Sequence, residues 1–281
     1  MTYKEICEKL RESGIDNYGY DAAVLIEELE GTDVATLRGD PNRDYCSEKL
    51  MDAIDKRCKH YPLQYIIGEW EFFGKKFEVS ESCLIPRADT ETLVETAIKL
   101  LPRNAYFADL CTGSGCIAIA TLANRPDCRA YAAELYEETL RIAEKNAKKN
   151  QVDGRIEFGI ADVLCPDCLD GVCKKGNERF DAILSNPPYI PSQDIDSLDD
   201  EVRFEPRAAL DGGGDGLIFY RTITSYSKKY LKEGGIVIFE IGYDQADSLR
   251  KIAEENQFSC EIIRDLGQRD RVAVLRSETQ K

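Results

Sequence analysis

From residue 86 onward the chain alternates short apolar runs with amphipathic stretches, and few architectures accommodate that alternation. The runs at 105–110, 129–133, 180–185 and 235–241 are apolar and short, as buried strands are. The stretches at 116–124, 136–150, 216–231 and 245–255 carry helical spacing, and two short strands are expected at 259–264 and 271–276. Strands alternating with helices predict a mostly parallel sheet with helices on both faces. The texture before residue 86 is different. In 21–30, Ala22, Leu25, Ile26 and Leu29 recur at helical spacing, with Asp21 placed to cap the helix and Gly31 to end it. Residues 46–60 repeat the pattern, with Leu50, Ile54 and Cys58 on one face. From 61 to 84, aromatic and β-branched residues (Tyr65, Ile66, Ile67, Trp70, Phe72, Phe73, Phe77, Val79) surround a turn-like Gly74-Lys75, which reads as a β-hairpin. The expected organisation is a helical domain at 1–60, a hairpin linker at 61–85 and an α/β domain at 86–281.

Composition narrows the function. A chain of 281 residues buries a core without staples, so its 11 cysteines, an odd number, read as reduced thiols rather than a disulfide framework. Cys165, Cys168 and Cys173 form a local cluster, but only one C-x-x-C is present and the single histidine, His60, is far upstream; no metal site is expected. One histidine also disfavours His-based hydrolysis. The formal charge of −15 repels phosphate backbones, so nucleic acid is an unfavoured partner and a basic protein fits better. No stretch approaches the roughly 20 apolar residues of a membrane helix. Residues 1–5 lack a basic start leading into an apolar block, so the expected location is cytoplasmic.

Two constellations carry chemistry. The first is Asp109-Leu110-Cys111-Thr112-Gly113-Ser114-Gly115, which follows an expected strand and opens an expected helix. Glycines there let backbone approach a ligand closely. Glu134, at the end of the next strand, is placed to accept both hydroxyls of a ribose. Asp162, after the third strand, is placed to meet an adenine amino group. A dinucleotide loop needs a third glycine, but Ala118 stands at that position. An acid-led loop suits the cationic sulfonium of S-adenosylmethionine better than a pyrophosphate, which sets aside an NAD oxidoreductase.

The second constellation is Asn186-Pro187-Pro188-Tyr189, directly after an apolar run. Consecutive prolines fix φ and remove two backbone donors. Asn186 adds a side-chain carbonyl and Tyr189 a flat ring. Together they describe a slot for a planar nitrogen group: two acceptors for its N–H bonds and a ring for its plane. The intact box argues against a silent scaffold.

This combination resembles the N-P-P-Y nitrogen methyltransferases, and more closely the branch that methylates the glutamine of class 1 peptide chain release factors. The resemblance runs nearly end to end. It is carried by Pro62-Leu63-Gln64-Tyr65, by Leu84-Ile85-Pro86-Arg87-Ala88-Asp89-Thr90-Glu91, by Asn186-Pro187-Pro188-Tyr189-Ile190 and by Val202-Arg203-Phe204-Glu205-Pro206. It implies a Rossmann-like S-adenosylmethionine-dependent methyltransferase sheet behind a small helical domain that recognises the protein substrate. It implies that residues 111–115 wrap the cofactor, that Glu134 binds its ribose, that Asp162 and Val163 flank the adenine, and that Asn186 holds the substrate amide. Cys111 stands where the family more often has glycine, and Glu134 where it more often has aspartate. The competing reading is a nucleic-acid adenine or guanine N-methyltransferase that uses the same slot.

Overall fold

The computed structural model describes residues 1–40, 42–176 and 179–277. The chain divides into two compact units: Met1–Glu69 with Leu198–Phe204, and Trp70–Ser197 with Glu205–Lys281.

The first unit is helical: α1 (Tyr3–Glu12), α2 (Tyr18–Glu30), α3 (Val34–Gly39), α4 (Glu48–Arg57) and α5 (Leu63–Ile67). A Thr2/Glu5 capping box starts α1, which buries Ile6 and Leu10. Ser47 caps α4. Gly31, at φ 67°, ends α2 as expected. Asp21 does not cap that helix. The helix begins at Tyr18, with Asn17 at the cap position, and Asp21 is buried within it. Its carboxylate accepts from Arg57 Nε at 2.6 Å, and Arg57 also pairs with Glu201. A buried carboxylate needs such a partner, and this one lies 36 residues away. The ion pair draws the late segment Leu198–Phe204 into the helical unit, where Phe204 packs edge-on against Tyr61 at 5.3 Å. Residues 63–67 form α5 rather than part of the hairpin. Pro62 presets the helix start at φ −55°, and Gly68 closes it at φ 78°.

The second unit opens with a hairpin, β1 (Glu69–Phe72) and β2 (Lys75–Glu78), with the turn at Phe73-Gly74. Then come α6 (Glu91–Leu100), β3 (Tyr106–Leu110), α7 (Cys116–Asn124), β4 (Arg129–Glu134), α8 (Glu137–Lys149) and β5 (Ile156–Ile160). These are followed by α9 (Asp170–Gly176), β6 (Phe180–Ser185), α10 (Ile218–Tyr230), β7 (Leu231–Glu240), α11 (Ala246–Glu255), β8 (Phe258–Arg264) and β9 (Asp270–Ser277). Seven strands make one sheet in the order β5-β4-β3-β6-β7-β9-β8. From β5 to β7 the pairing is parallel, while β9 runs antiparallel to β7 and β8. Side chains alternate across the sheet. Phe107, Leu184 and Ile238 point into one apolar layer with α6 and α7, and Ala108, Ile183 and Phe239 into the other with α10 and α11. Each of the Phe, Leu and Ile side chains among these contributes roughly 1.5–3 kcal/mol by leaving water. The strand order reverses between β3 and β6, so their carboxyl ends open a crevice, where ligands of open α/β sheets bind. Among the described residues, no helix is long and apolar enough to cross a membrane.

Removing one partner of a buried ion pair strands the other charge, at a cost of about 3–5 kcal/mol. Arg57→Ala is therefore expected to destabilise the helical unit by about that much, read by hydrogen exchange of α2 and α4 amides. A loss below about 1 kcal/mol, the scale of an exposed pair, contradicts this account of the unit.

Candidate active site

The glycine loop is built from below by an acid. Asp109, near the end of β3, is fully buried; its Oδ2 accepts from the Thr112 hydroxyl at 2.6 Å and from the Ala118 N–H at 3.2 Å. These bonds close the turn and tie it to α7. Burial pushes the Asp109 carboxyl up to about 7. Gly115 cannot carry a side chain: a Cβ there would lie 2.8 Å from Ile119 Cδ1 and 3.2 Å from Ala143 Cβ, and its φ is +82°. Cys111 occupies the left-handed region at φ 58°, where glycine is unstrained. From the other side, Glu134 Oε2 accepts the Gly113 N–H at 3.0 Å and Oε1 the Leu135 N–H at 2.8 Å. Oε1 also takes a long bond from the Tyr136 N–H at 3.5 Å, while Oε2 keeps a second lone pair for a ligand hydroxyl. Beyond β5, Asp162 Oδ1 accepts the Leu164 N–H at 2.9 Å, and the Val163 carbonyl is held by the Tyr226 hydroxyl at 3.1 Å.

The proline box leaves β6 beside this loop. The Ser185 hydroxyl donates to the Leu110 carbonyl at 2.6 Å, pinning β6 to β3 where both end. Asn186 Nδ2 donates to Thr90 Oγ1 at 3.3 Å, so the two ends of its side-chain amide are not equivalent. Pro187 and Pro188 are buried, and the Tyr189 carbonyl accepts from Gln245 Nε2 at 3.0 Å. The Tyr189 ring packs against the second apolar layer, and burial raises its hydroxyl to about 12.

A cavity of about 870 Å³, counting its mouth, lies between these loops. Of the expected site residues, Cys111, Gly113, Glu134, Asp162, Val163, Asn186 and Pro188 line it. Asp109, Thr112, Ser114, Gly115, Pro187 and Tyr189 are not in its lining. Asp109, Thr112 and Ser114 are buried, and the Tyr189 ring is half-buried beside the second apolar layer. Leu84, Leu135, Tyr136, Ala209 and Phe219 add apolar wall. The charged residues in the lining are Glu134 and Asp162; no lysine, arginine or histidine is among them. Such a cavity favours a cation with an apolar body and gives a pyrophosphate no counter-charge. S-adenosylmethionine, cationic at sulfur, fits this donor set, and the buried Asp109 Oδ1 without a partner lies under the loop that would hold it. Among the described residues, no group of three or more His, Cys, Asp or Glu is placed to hold a metal, and Cys165 is exposed while Cys168 faces the Tyr226 hydroxyl.

Several supports escaped the sequence reading. Asn146 of α8 is fully buried; it donates to the Ser114 carbonyl at 2.9 Å and to the Glu78 carbonyl at 3.0 Å, and accepts from the Glu78 N–H at 2.6 Å. The signal was present: a polar residue within the apolar stripe Leu140, Ala143, Ala147. Residues 85–91 form a row of pins. Glu205 accepts from the Ile85 N–H at 3.0 Å and pairs with Arg87; Asp89 pairs with Arg271 at 2.9 Å; Glu91 accepts the Phe73 N–H at 2.8 Å.

The sequence profile described as the Methyltransferase small domain matches residues 88–237, and the PrmC N-terminal domain profile matches 2–68. A release factor glutamine methyltransferase of Geobacter sulfurreducens is 37% identical over 268 residues, 94% of this chain and 91% of that protein. A protein of the same description from Caulobacter vibrioides is 35% identical over 274 residues, 95% of this chain and 92% of that protein. The crystal structure of a methyltransferase from Pyrococcus furiosus shares the fold at 16% identity, with a TM-score of 0.54 over 74% of this chain and 91% of that one.

The raised Asp109 carboxyl links stability to pH. Its folded-state value of about 7 exceeds the ordinary 3.8, so its contribution is fully present below about 3.8 and is lost as pH rises through 7. Asp109→Asn lacks this term. Between pH 4 and 7 its stability relative to the parent should rise by on the order of 1 kcal/mol per pH unit in urea titrations. A pH-independent difference contradicts a buried, proton-retaining Asp109. Separately, Asn146→Leu is expected to cost about 3 kcal/mol, because three backbone groups lose their partner.

Proposed function

The chain belongs to the release factor glutamine methyltransferases, and we propose that it methylates N5 of the glutamine in the Gly-Gly-Gln motif of class 1 peptide chain release factors. It is an S-adenosylmethionine-dependent enzyme with the methyltransferase fold. The observation that carries the substrate reading is the edge of the cavity at Asn186. An acid-rimmed apolar cavity meets a side-chain carbonyl there, followed by two residues without N–H groups.

S-adenosylmethionine supplies an electrophilic methyl group on a cationic sulfur. Residues 111–115 would hold its methionine part, Glu134 its ribose hydroxyls, and Asp162 and Val163 its adenine. The chain's own task is to make an amide nitrogen react. That nitrogen is a poor nucleophile because its lone pair is delocalised into the carbonyl. Asn186 Oδ1 and the Pro187 carbonyl accept its two hydrogens, which orients the nitrogen and favours the positive charge that develops on it. Neither Pro187 nor Pro188 has an N–H, so neither proline backbone competes for those acceptors. The surplus proton leaves an N-alkylated amide spontaneously, and no strong base is needed. Tyr189 would hold the amide plane, and its carbonyl is anchored by Gln245.

We place the helical domain at residues 1–60. We propose that it grips the protein substrate. Its exposed Tyr18 and Tyr20 are amphipathic side chains of the kind that anchor protein contacts. In the Tyr18→Ala/Tyr20→Ala variant, KM for the release factor should rise about tenfold with kcat unchanged. An unaltered KM removes the idea.

The decisive assay supplies S-adenosylmethionine with a purified class 1 release factor, and in parallel with duplex DNA and total RNA. One added methyl on the Gly-Gly-Gln glutamine, found by peptide mass spectrometry, and none on nucleic acid is the expected result. Label in nucleic acid alone makes the chain a base N-methyltransferase. Asn186→Ala is expected to lower kcat about 100-fold; unchanged turnover refutes the acceptor role.

A further inference from the structure

Tyr189 ends the proline box, and two segments distant in sequence close on its backbone. The first is the turn before α11, which carries the buried side chain of Gln245 at the cap position of that helix. Gln245 Nε2 donates to the Tyr189 carbonyl at 3.0 Å and to the Gly216 carbonyl at 3.4 Å, and its Oε1 accepts from the Gly242 N–H at 2.9 Å. A backbone N–H can only donate and a carbonyl can only accept, so these partners admit one orientation of the Gln245 amide. The Gln245 N–H in turn donates to the Gly242 carbonyl at 3.0 Å. The second segment is the loop at 210–216. The Ile190 N–H donates to the Leu210 carbonyl at 3.0 Å, and the Gly212 N–H to the Ile190 carbonyl at 2.8 Å. The approach leaves no room for a side chain: a Cβ at Gly212 would lie 2.7 Å from Tyr189 Cα, and one at Gly216 would lie 2.3 Å from the Tyr189 oxygen.

Between Ser185 and Tyr189 the backbone has little freedom. Pro187 and Pro188 have fixed φ, and Asn186 and Pro187 each precede a proline, which confines them to extended conformations. The box is therefore a stiff bridge with two abutments. One is the Ser185 hydroxyl on the Leu110 carbonyl at 2.6 Å, and the other is Tyr189. A shift at Tyr189 is carried to the Pro187 carbonyl two residues away. The geometry points to Gln245 as a positioning residue, which together with the glycine loop at 212–216 sets where the proline box presents its acceptors to the substrate nitrogen. Gln245 is not in the cavity lining, so it acts through Tyr189. The inference rests on the proposed acceptor role of the box.

The test compares Gln245→Met, which keeps the length and loses every bond, with Gln245→Glu, which keeps an oxygen for the Gly242 N–H and loses the donors to Tyr189 and Gly216. Methyl transfer to the release factor is measured at about pH 8.5, where an ordinary carboxyl is ionised. Calorimetry gives Kd and stoichiometry for S-adenosylmethionine. Both variants are expected to lower kcat about 30-fold, with Kd within about threefold of the parent and an unchanged stoichiometry. Gly212→Ala leaves Gln245 intact and crowds Tyr189 instead; it should lower kcat by a similar factor at the same Kd, and it decides the matter if Gln245→Met does not fold. Failure of the substrate reading is distinct, since it shows as a parent enzyme that leaves the release factor unmethylated. Parental kcat in Gln245→Glu marks a side chain that only holds its own turn, and overturns the proposal. So does a loss in Gln245→Met matched by a fall in cofactor stoichiometry, the sign of partly unfolded protein, or parental kcat in Gly212→Ala.

Discussion

The Ser185 hydroxyl, bonded to the Leu110 carbonyl at 2.6 Å, holds two parallel strands together at the point where both end. The chain turns away in opposite directions there: β4 and β5 lie on one side of β3, and β6 and β7 on the other. The resulting crevice has the glycine loop as one lip and the proline box as the other. If β6 were free to slide along β3, the distance between a bound cofactor and Asn186 would be undefined. In-line transfer tolerates little such error, since misplacement by about 1 Å costs on the order of 100-fold in rate.

Around that junction the acidic residues divide between two tasks. Asp109 is buried and spends its bonds on Thr112 and Ala118, shaping the loop without facing the ligand. Glu134 does both: it accepts from the Gly113 N–H and also lines the cavity. Asp162 lines the cavity and orders its own turn. Two acids at the rim with no base among the lining residues set a negative field in a mostly apolar space, where a sulfonium is better accommodated than in water-exposed surface. The row from Ile85 to Glu91 performs the complementary task on the substrate side, with its residues pinned to Glu205, Arg271, Asn186 and the hairpin.

Buried parallel strands must be continuously apolar, so 105–110 and 180–185 were legible as strands from composition alone, and the helices between them followed from spacing. Helix α6 was passed over because it follows the hairpin rather than a strand of the seven-stranded sheet, so no repeat marks it. The run Tyr65-Ile66-Ile67 has the residues of a strand, but Pro62 and Gly68 are the start and stop of a helical turn, and the tertiary setting overrode propensity. Asp21 looked like a cap because caps are local, whereas its partner Arg57 is 36 residues distant. At the site, residue type was legible and reach was not. Asp109, Thr112 and Ser114 belong to the right loop, yet only the packed structure shows that they are buried rather than in the cavity lining. Asn146 and Thr90 act through long-range bonds that no local window displays.

The acceptor role of Asn186 is tested most directly by a crystal structure of the enzyme with S-adenosylhomocysteine and a peptide containing the Gly-Gly-Gln segment. The account requires the glutamine amide nitrogen at about 3 Å from both Asn186 Oδ1 and the Pro187 carbonyl, with Asn186 Nδ2 still on Thr90. A glutamine bound elsewhere, or an Asn186 turned so that its nitrogen faces the substrate, contradicts it.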